Sequence, residues 1–329
     1  MSGKIVSINH YDLDAAGCRI LLNHIFSRDG FDKEFNMGYT KLENVIGKHG
    51  ENLIENYDAV ICTDVGLRVE QFTGLQKAFG DKFIYIDHHK SSEEIPYYAT
   101  SSKAIVDLEK CATKIIFEDF MQNPPEKFAD MVDIVDVYDL WKTDSNLWGK
   151  AYGLNVLFWK YHMNQFVNRF CNGFTGFNGY EKKVIKESIA NVRENMEKAE
   201  QTTFGENSVI FTGLTSEHIN DTTLAYPHYN LFYIITVWDE KFNVSVRARG
   251  LDDKEHFDMN RDLEGLNDVF PDTVINSGGH PMAGGISCGD LASFDDVLEV
   301  IEYVNDKLEV QLSMNPAQAG HYASDDVPF

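Results

Sequence analysis

Three short apolar runs in this chain end in the same way. Lys4–Asn9 (KIVSIN) leads into His10-Tyr11-Asp12-Leu13-Asp14, Asp58–Cys62 leads into Thr63-Asp64, and Phe83–Ile86 leads into Asp87-His88-His89-Lys90. Runs of this length, rich in β-branched and aromatic residues, read as buried strands. Helical patterns follow the first run from Ala15 through Ile25 and the second over 67–80. Strands alternating with helices predict an α/β domain, a mostly parallel sheet with helices on both faces. In such sheets ligands bind beyond the carboxyl ends of the strands, which is where these charged clusters fall.

At 329 residues the chain exceeds what one core usually organises. The pattern predicts a first domain over 1–145, with a second strand at 31–38, a helix at 41–56, and helical periodicity over 103–121 and 125–142. Residues 146–203 show no strand pattern and end in a long polar helix from 181, so they read as a helical connector. Strand-like segments at 208–211, 231–238 and 242–249, with helices at 258–270 and 291–312, predict a smaller α+β domain over 204–312. A glycine-rich loop, 277–285, carries His280. Residues 313–329 read as a disordered tail.

The formal net charge is -23. A protein that holds long nucleic acid presents a basic track, because phosphate contacts dominate affinity. Extensive duplex binding is therefore not expected, whereas a small phosphorylated ligand held by metal ions and a few cations is compatible with this balance. No run of apolar residues is long enough to span a bilayer, and the N-terminus carries no signal-peptide pattern. The five cysteines, Cys18, Cys62, Cys111, Cys171 and Cys288, form no CxxC pair. They read as small buried hydrophobes in a reducing cytoplasm.

Singly, an aspartate at a strand end more often caps a helix than binds anything. Recurrence at three strand ends changes that balance. His10, Asp12, Asp14, Asp64, Asp87, His88 and His89 would converge on one sheet edge, and Asp133, Asp136 and Asp139 lie along the helix over 125–142. Carboxylates so gathered repel unless cations neutralise them. Oxygen-rich sets with some imidazole suit Mn²⁺ or Mg²⁺ rather than structural zinc. There are ligands enough for two ions, which would acidify a bridging water and clamp a phosphate ester.

On these residues the sequence resembles the DHH phosphoesterase family. His10-Tyr11-Asp12-Leu13-Asp14-Ala15 matches its H-x-D-x-D-[GA] opening, with Ala15 in place of the commoner glycine. Asp64 matches the lone strand-end aspartate and Asp87-His88-His89 the signature. Asp136 or Asp139 matches the fourth motif, and alignment favours Asp136. Ser277-Gly278-Gly279-His280 with Ala283-Gly284 resembles the GGH motif of the associated C-terminal domain in the RecJ and nanoRNase branches, and the opening motif looks closest to the nanoRNase B type.

The resemblance implies roles. His10, Asp12 and Asp64 would hold one divalent ion; Asp14, Asp64, His88 and the fourth-motif aspartate would hold the other, with Mn²⁺ the expected metal and Mg²⁺ or Co²⁺ as substitutes. His89 would face the substrate phosphate and Asp87 would orient His88. His280, the Gly278 and Gly279 amides, Arg247 and Arg249 would bind substrate.

The expected activity is hydrolysis of short oligonucleotides to mononucleotides in the cytoplasm, by a monomer or a homodimer. Rivals with the same chemistry are hydrolysis of phosphoadenosine phosphate or of cyclic and linear dinucleotides, and RecJ-like digestion of single-stranded DNA. A non-catalytic, replication-associated nucleotide binder would have lost metal ligands, and none is lost here.

Overall fold

The three charged strand ends are neighbours. In the computed structural model, β1 (Ile5–Asn9), β2 (Lys33–Asn36), β3 (Ala59–Thr63), β4 (Phe83–Asp87) and β5 (Lys103–Val106) form one sheet of order β2-β1-β3-β4-β5. Every pairing in it is parallel. The register sets Asn9 opposite Thr63 and Thr63 opposite Ile86, so His10, Asp64 and Asp87 emerge in a row. The strand order reverses between β1 and β3, the switch point at which open α/β sheets leave a crevice.

The structure describes residues 4–27, 31–36, 56–142, 145–204, 207–214, 222–223, 226, 229–248, 257–280 and 282–314. The helix expected over 41–56 falls almost wholly outside them, as does the tail beyond 314. By chain contacts the molecule divides into two units, Met1–Lys186 and Glu187–Phe329.

In the first unit both faces of the sheet are covered, as a parallel sheet requires. Val6, Ile8, Val60, Cys62, Phe83 and Tyr85 pack with Phe72, Leu75 and Phe79 of helix α2 (Val69–Phe79). Strand residues of opposite parity, Ile5, Ile61 and Ile86, are buried as well. Helix α1 (Leu13–Ile25) packs against α3 (Ala112–Ile115), α4 (Ala129–Asp139) and α5 (Trp148–Phe170).

Two readings of the sequence change here. The segment 103–121 is not a continuous helix: it opens with β5, whose four residues pair with β4 at the sheet edge and are too few to show a period. Residues 148–170, expected within a connector, belong with the first unit, because Leu157, Phe158, Phe166 and Phe170 bury a full apolar stripe. Helix α6 (Gly179–Lys198) then crosses the division between the units.

The second unit is a six-stranded sheet with β6 (Glu200–Phe204), β7 (Ser208–Thr212), β8 (Leu231–Trp238), β9 (Lys241–Ala248), β10 (Val274–His280) and β11 (Ala283–Cys288), in the order β10-β11-β9-β8-β7-β6. The sequence gives no sign of strand β6, because its residues EQTTF, exposed except for the half-buried Phe204, carry no apolar alternation. Asp239 and Glu240, both at positive φ, make the two-residue turn between β8 and β9 that matches the strands' twist. One face packs on Val297, Val300, Ile301, Val304 and Leu308 of α8 (Phe294–Met314), and on Phe257, Met259 and Leu263, the last two in α7 (Met259–Leu263).

The glycine-rich stretch is not a loop. It is the β10–β11 hairpin, in which Gly278 faces Gly285 and Gly279 faces Gly284. Gly279, at φ 156, leaves no room for a Cβ, which would strike the Ala283 carbonyl. Backbone pairing, invisible in a glycine composition, defines this element. Among the described residues no helix is long and apolar enough to cross a membrane.

Candidate metal centre

The centre begins where β1 turns into α1. Asp12 is the N-cap of α1: its Oδ1 accepts from the Ala15 amide at 2.9 Å, and its Oδ2 lies 2.7 Å from His10 Nδ1. Capping and ligation are thus compatible roles for one carboxylate, with one oxygen for each. Asp14, fully buried, accepts the Ala112 and Thr113 amides at 2.8 Å each, at the start of α3. Thr113 Oγ1 returns a bond to the Asp14 carbonyl at 2.8 Å. Gly17 permits this close approach, since the Thr113 side chain occupies the space a Cβ would take.

Asp64 follows β3 in a left-handed backbone conformation, φ 56, unusual for a residue with a Cβ. Its amide is anchored to the Ile86 carbonyl at 3.0 Å, which ties the β3 and β4 ends together. His88 Nε2 stands 3.4 Å from Asp64 Oδ1, 3.3 Å from Asp139 Oδ2 and 4.0 Å from Asp14 Oδ2. Among the described residues, candidate ligand atoms within 4.8 Å of one another form three groups: His10, Asp12 and Asp64; Asp14, His88 and Asp139; and Asp64, His88 and His89. Asp64 belongs to two of these and touches the third through His88.

The two candidates for the fourth-motif position, Asp136 and Asp139, meet different partners. Asp136 is buried, but its Oδ1 accepts the Cys111 amide at 3.0 Å and its Oδ2 accepts Lys142 Nζ at 2.6 Å. Asp139, one helical turn on, is the carboxylate that meets Asp14 and His88. Asp133 instead pairs with Lys114 at the surface.

Burial and mutual repulsion dominate the electrostatics. Burial drives the Asp64 carboxyl far above its ordinary range, and Asp12, Asp14 and Asp139 push the same way. Asp139 is pushed up to about 8 by burial, only partly relieved by His88, and Asp14 is raised for the same reasons. His88 is raised despite its burial, because carboxylates surround it. Asp12 alone among the candidate ligand carboxylates falls, to about 2: burial disfavours its charge, but the His10 hydrogen bond and charge outweigh it.

A cluster that strains to ionise is one that positive charge would relieve. Asp64 Oδ2 is moreover buried without a hydrogen bond, a state that costs free energy unless a ligand satisfies it, and Asp139 Oδ2 has the His88 ring 3.3 Å away but no hydrogen bond. Buried carboxylates beside two imidazoles, with an acceptor oxygen left without a hydrogen bond, fit divalent ions such as Mn²⁺ or Mg²⁺.

Asp87 serves a different histidine from the one expected. Its Oδ1 lies 2.7 Å from His89 Nδ1, and its Oδ2 accepts from Tyr85 Oη at 2.8 Å. Tyr85 and Asp87 share a face of β4, and the His88 and His89 rings lie 4.7 Å apart just beyond its end. Burial disfavours the Asp87 charge, yet the His89 charge and hydrogen bond hold its carboxyl well below the usual range.

Tyr85 and Ser92, which carry no motif of their own, complete this network. Tyr85 Oη lies 2.6 Å from Ser92 Oγ and 2.9 Å from the Val65 carbonyl oxygen, while the Leu67 amide donates to both hydroxyls. The pair thereby holds the strained turn after Asp64 and the Asp87–His89 dyad in one block. A tyrosine two residues before Asp87, in an otherwise apolar strand, is the signal the sequence offers for this role.

Residues 4–136 match the family model described as "DHH family, N-terminal domain". This part of the chain belongs to the DHH family. No curated protein matches the chain significantly in sequence. Solved structures share the fold at low identity. The pGpG-specific phosphodiesterase PggH of Vibrio cholerae aligns at TM-score 0.56 and 12% identity, covering 94% of this chain and 100% of that one. The DHH domain of a protein described as a member of a ribosomal-protein family aligns at 0.60 and 16%, covering 92% and 86%. RecJ of Thermus thermophilus in complex with Mn²⁺ aligns at 0.53 and 14%, covering 92% and 52%.

Outside the DHH domain, the second unit gathers the other expected residues in part. Arg247 on β9 pairs with Ala283 of the glycine hairpin, and its Nη1 donates to the Val246 and Gly284 carbonyls at 2.9 and 3.3 Å. Asn260 Oδ1 accepts the Gly279 amide at 2.7 Å. His280 closes β10 opposite Ala283, and Arg249 lies outside the described residues. Of the cysteines, Cys171 is exposed rather than buried, because it caps the end of α5.

Proposed function

We propose that the chain is a divalent-metal-dependent phosphodiesterase that trims short oligonucleotides to mononucleotides. The observation that carries this reading is the placing of Asp64: one buried carboxylate, with an unsatisfied oxygen, stands among two sets of ligating groups and beside His89. His10, Asp12 and Asp64 would hold one ion, and Asp14, His88 and Asp139, with Asp64 shared, the other. Bound there, the ions would acidify the attacking water and neutralise the phosphoryl oxygens.

The chain's own residues supply position and charge. Asp64, fixed by its strained turn, would set the spacing between the two ligand sets. His89, engaged by Asp87 at Nδ1, would contact a phosphoryl oxygen through Nε2. Arg247 and the Gly278–Gly279–His280 backbone would add a phosphate contact in the second unit, where a planar guanidinium suits phosphate.

Short substrates agree with a net charge of -23, which leaves little to hold a long strand. A linear dinucleotide is a specific second reading. The similarly folded Vibrio cholerae protein is described as pGpG-specific and is covered over its whole length. All six ligand positions are filled here, which speaks against a non-catalytic relative.

A substrate panel with Mn²⁺ separates these readings. End-labelled RNA of two to five residues should be hydrolysed faster than a long single strand, short DNA, phosphoadenosine phosphate or cyclic dinucleotides. Equal or faster digestion of long single-stranded DNA would replace the oligoribonuclease reading by RecJ-like action, and turnover restricted to pGpG would favour the second reading.

A further inference from the structure

Among the aromatic side chains of the first unit, one group runs from the core to the surface beside the ligand loop. Tyr11 stands between His10 and Asp12, and its ring lies 5.5 Å from Phe158 and 6.1 Å from Trp159. Phe158 and Trp159 meet edge to face at 5.2 Å. Phe158 is fully buried, Tyr11 is half-buried, and Trp159 is 50% exposed.

The segment that carries Trp159 is held in an unusual way. Helix α5 breaks at His162, with φ 57 and ψ 169, a backbone state almost reserved for glycine and one that clusters at functional sites. Beyond the break, Asn164 Oδ1 accepts from Arg19 Nη1 of α1 at 2.8 Å. The stretch from Phe158 to Asn164 is therefore tied, on both sides of the break, to the segment that bears Asp12 and Asp14. That fixes where the indole stands relative to the metal centre, although half its surface is left open among the described residues.

We propose that Trp159, backed by Tyr11, is a stacking platform for the nucleobase of the nucleotide whose phosphate lies at the metal centre. The inference rests on the phosphodiesterase reading for its substrate class. A base is the occupant that fits. It has a flat π-face, it is joined to the reacting phosphate through one sugar, and stacking on an indole accepts any of the bases. Discrimination would then favour nucleotides over other phosphate esters without selecting a sequence.

The test is binding of adenosine 5′-monophosphate and of ribose 5-phosphate to the Mn²⁺-loaded full chain, by calorimetry, for wild type, Trp159→Ala and Trp159→Phe. Wild type should prefer the nucleotide by about ten-fold or more. Trp159→Ala should bring the ratio close to one while the Kd for ribose 5-phosphate and for Mn²⁺ stays put, and Trp159→Phe should restore most of the preference. A preference that survives in Trp159→Ala, an absent preference in wild type, or an equal loss of Mn²⁺ affinity overturns the platform. Base preference without hydrolysis of any phosphodiester would sink the phosphodiesterase reading and keep the platform; hydrolysis without base preference would do the reverse.

Discussion

Replacing Asp139 by Asn should make the metal-free protein more stable at neutral pH while destroying its metal site. In the folded chain this carboxyl is pushed up to about 8 from an ordinary 3.8, by burial among Asp12, Asp14 and Asp136. A carboxyl raised in the folded state leaves stability intact below its unfolded value. Stability is then lost as pH climbs toward the folded value, because the folded chain holds a proton that the unfolded chain has released. Each pH unit in that window costs about 1.4 kcal/mol, so between pH 5 and pH 8 the loss from this one group is on the order of 4 kcal/mol.

His88, also raised, titrates in the same direction. Asp12 and Asp87, both lowered, act only at more acid pH. The assay is urea denaturation in excess chelator at pH 5, 6.5 and 8. Wild type should weaken steadily with pH, Asp139→Asn should weaken less by roughly one proton's worth of slope, and the two curves should cross. With Mn²⁺, wild type alone should recover, most at pH 8, since ligation displaces those protons. Parallel pH slopes in chelator would refute the reasoning, for they would mean that Asp139 ionises freely in the folded state.

Other perturbations read other parts of the site. Asp64→Ala should abolish turnover and reduce Mn²⁺ binding at both ligand sets, measured by calorimetric stoichiometry; retained activity would remove the shared-carboxylate mechanism. Tyr85→Phe takes from the Asp87 carboxylate and the Leu67 amide a buried partner. It should cost about 1–3 kcal/mol in denaturant unfolding and lower kcat, with Ser92→Ala milder; an unchanged kcat would separate the hydroxyl pair from catalysis. Arg247→Ala should raise KM for short RNA and leave Mn²⁺ affinity unaltered, and a loss of metal would show that the second unit is not a substrate-binding domain.

Much of the centre is legible in the sequence because strand ends are chemically punctuated. His10, Asp12, Asp14, Asp64 and His88 each follow an apolar run, and parallel pairing sends such ends to one edge. Asp139 is not separable from Asp136 on spacing alone. Both lie on one helix, and the decision rests on what each meets: Cys111 and Lys142 engage Asp136 from distant parts of the chain or the next turn. Alternation along β4 aligns Asp87 with Tyr85, but its other partner, His89, lies beyond the strand's end where no period applies; a metal-centred reading draws attention to His88 instead. Strands β5 and β6 escape because short, polar or half-buried edge strands are defined by backbone pairing rather than by side-chain period. The same holds for the glycine hairpin, whose side chains say turn while its backbone forms a ladder.

The central claim is that Asp64 joins two ion sites. Its most direct test is anomalous diffraction from crystals of the wild-type chain grown with Mn²⁺. The account predicts two peaks roughly 3.5–4 Å apart, both in contact with Asp64, one flanked by His10 and Asp12 and the other by Asp14, His88 and Asp139. A single peak, a pair not bridged by Asp64, or coordination by Asp136 in place of Asp139 would contradict it.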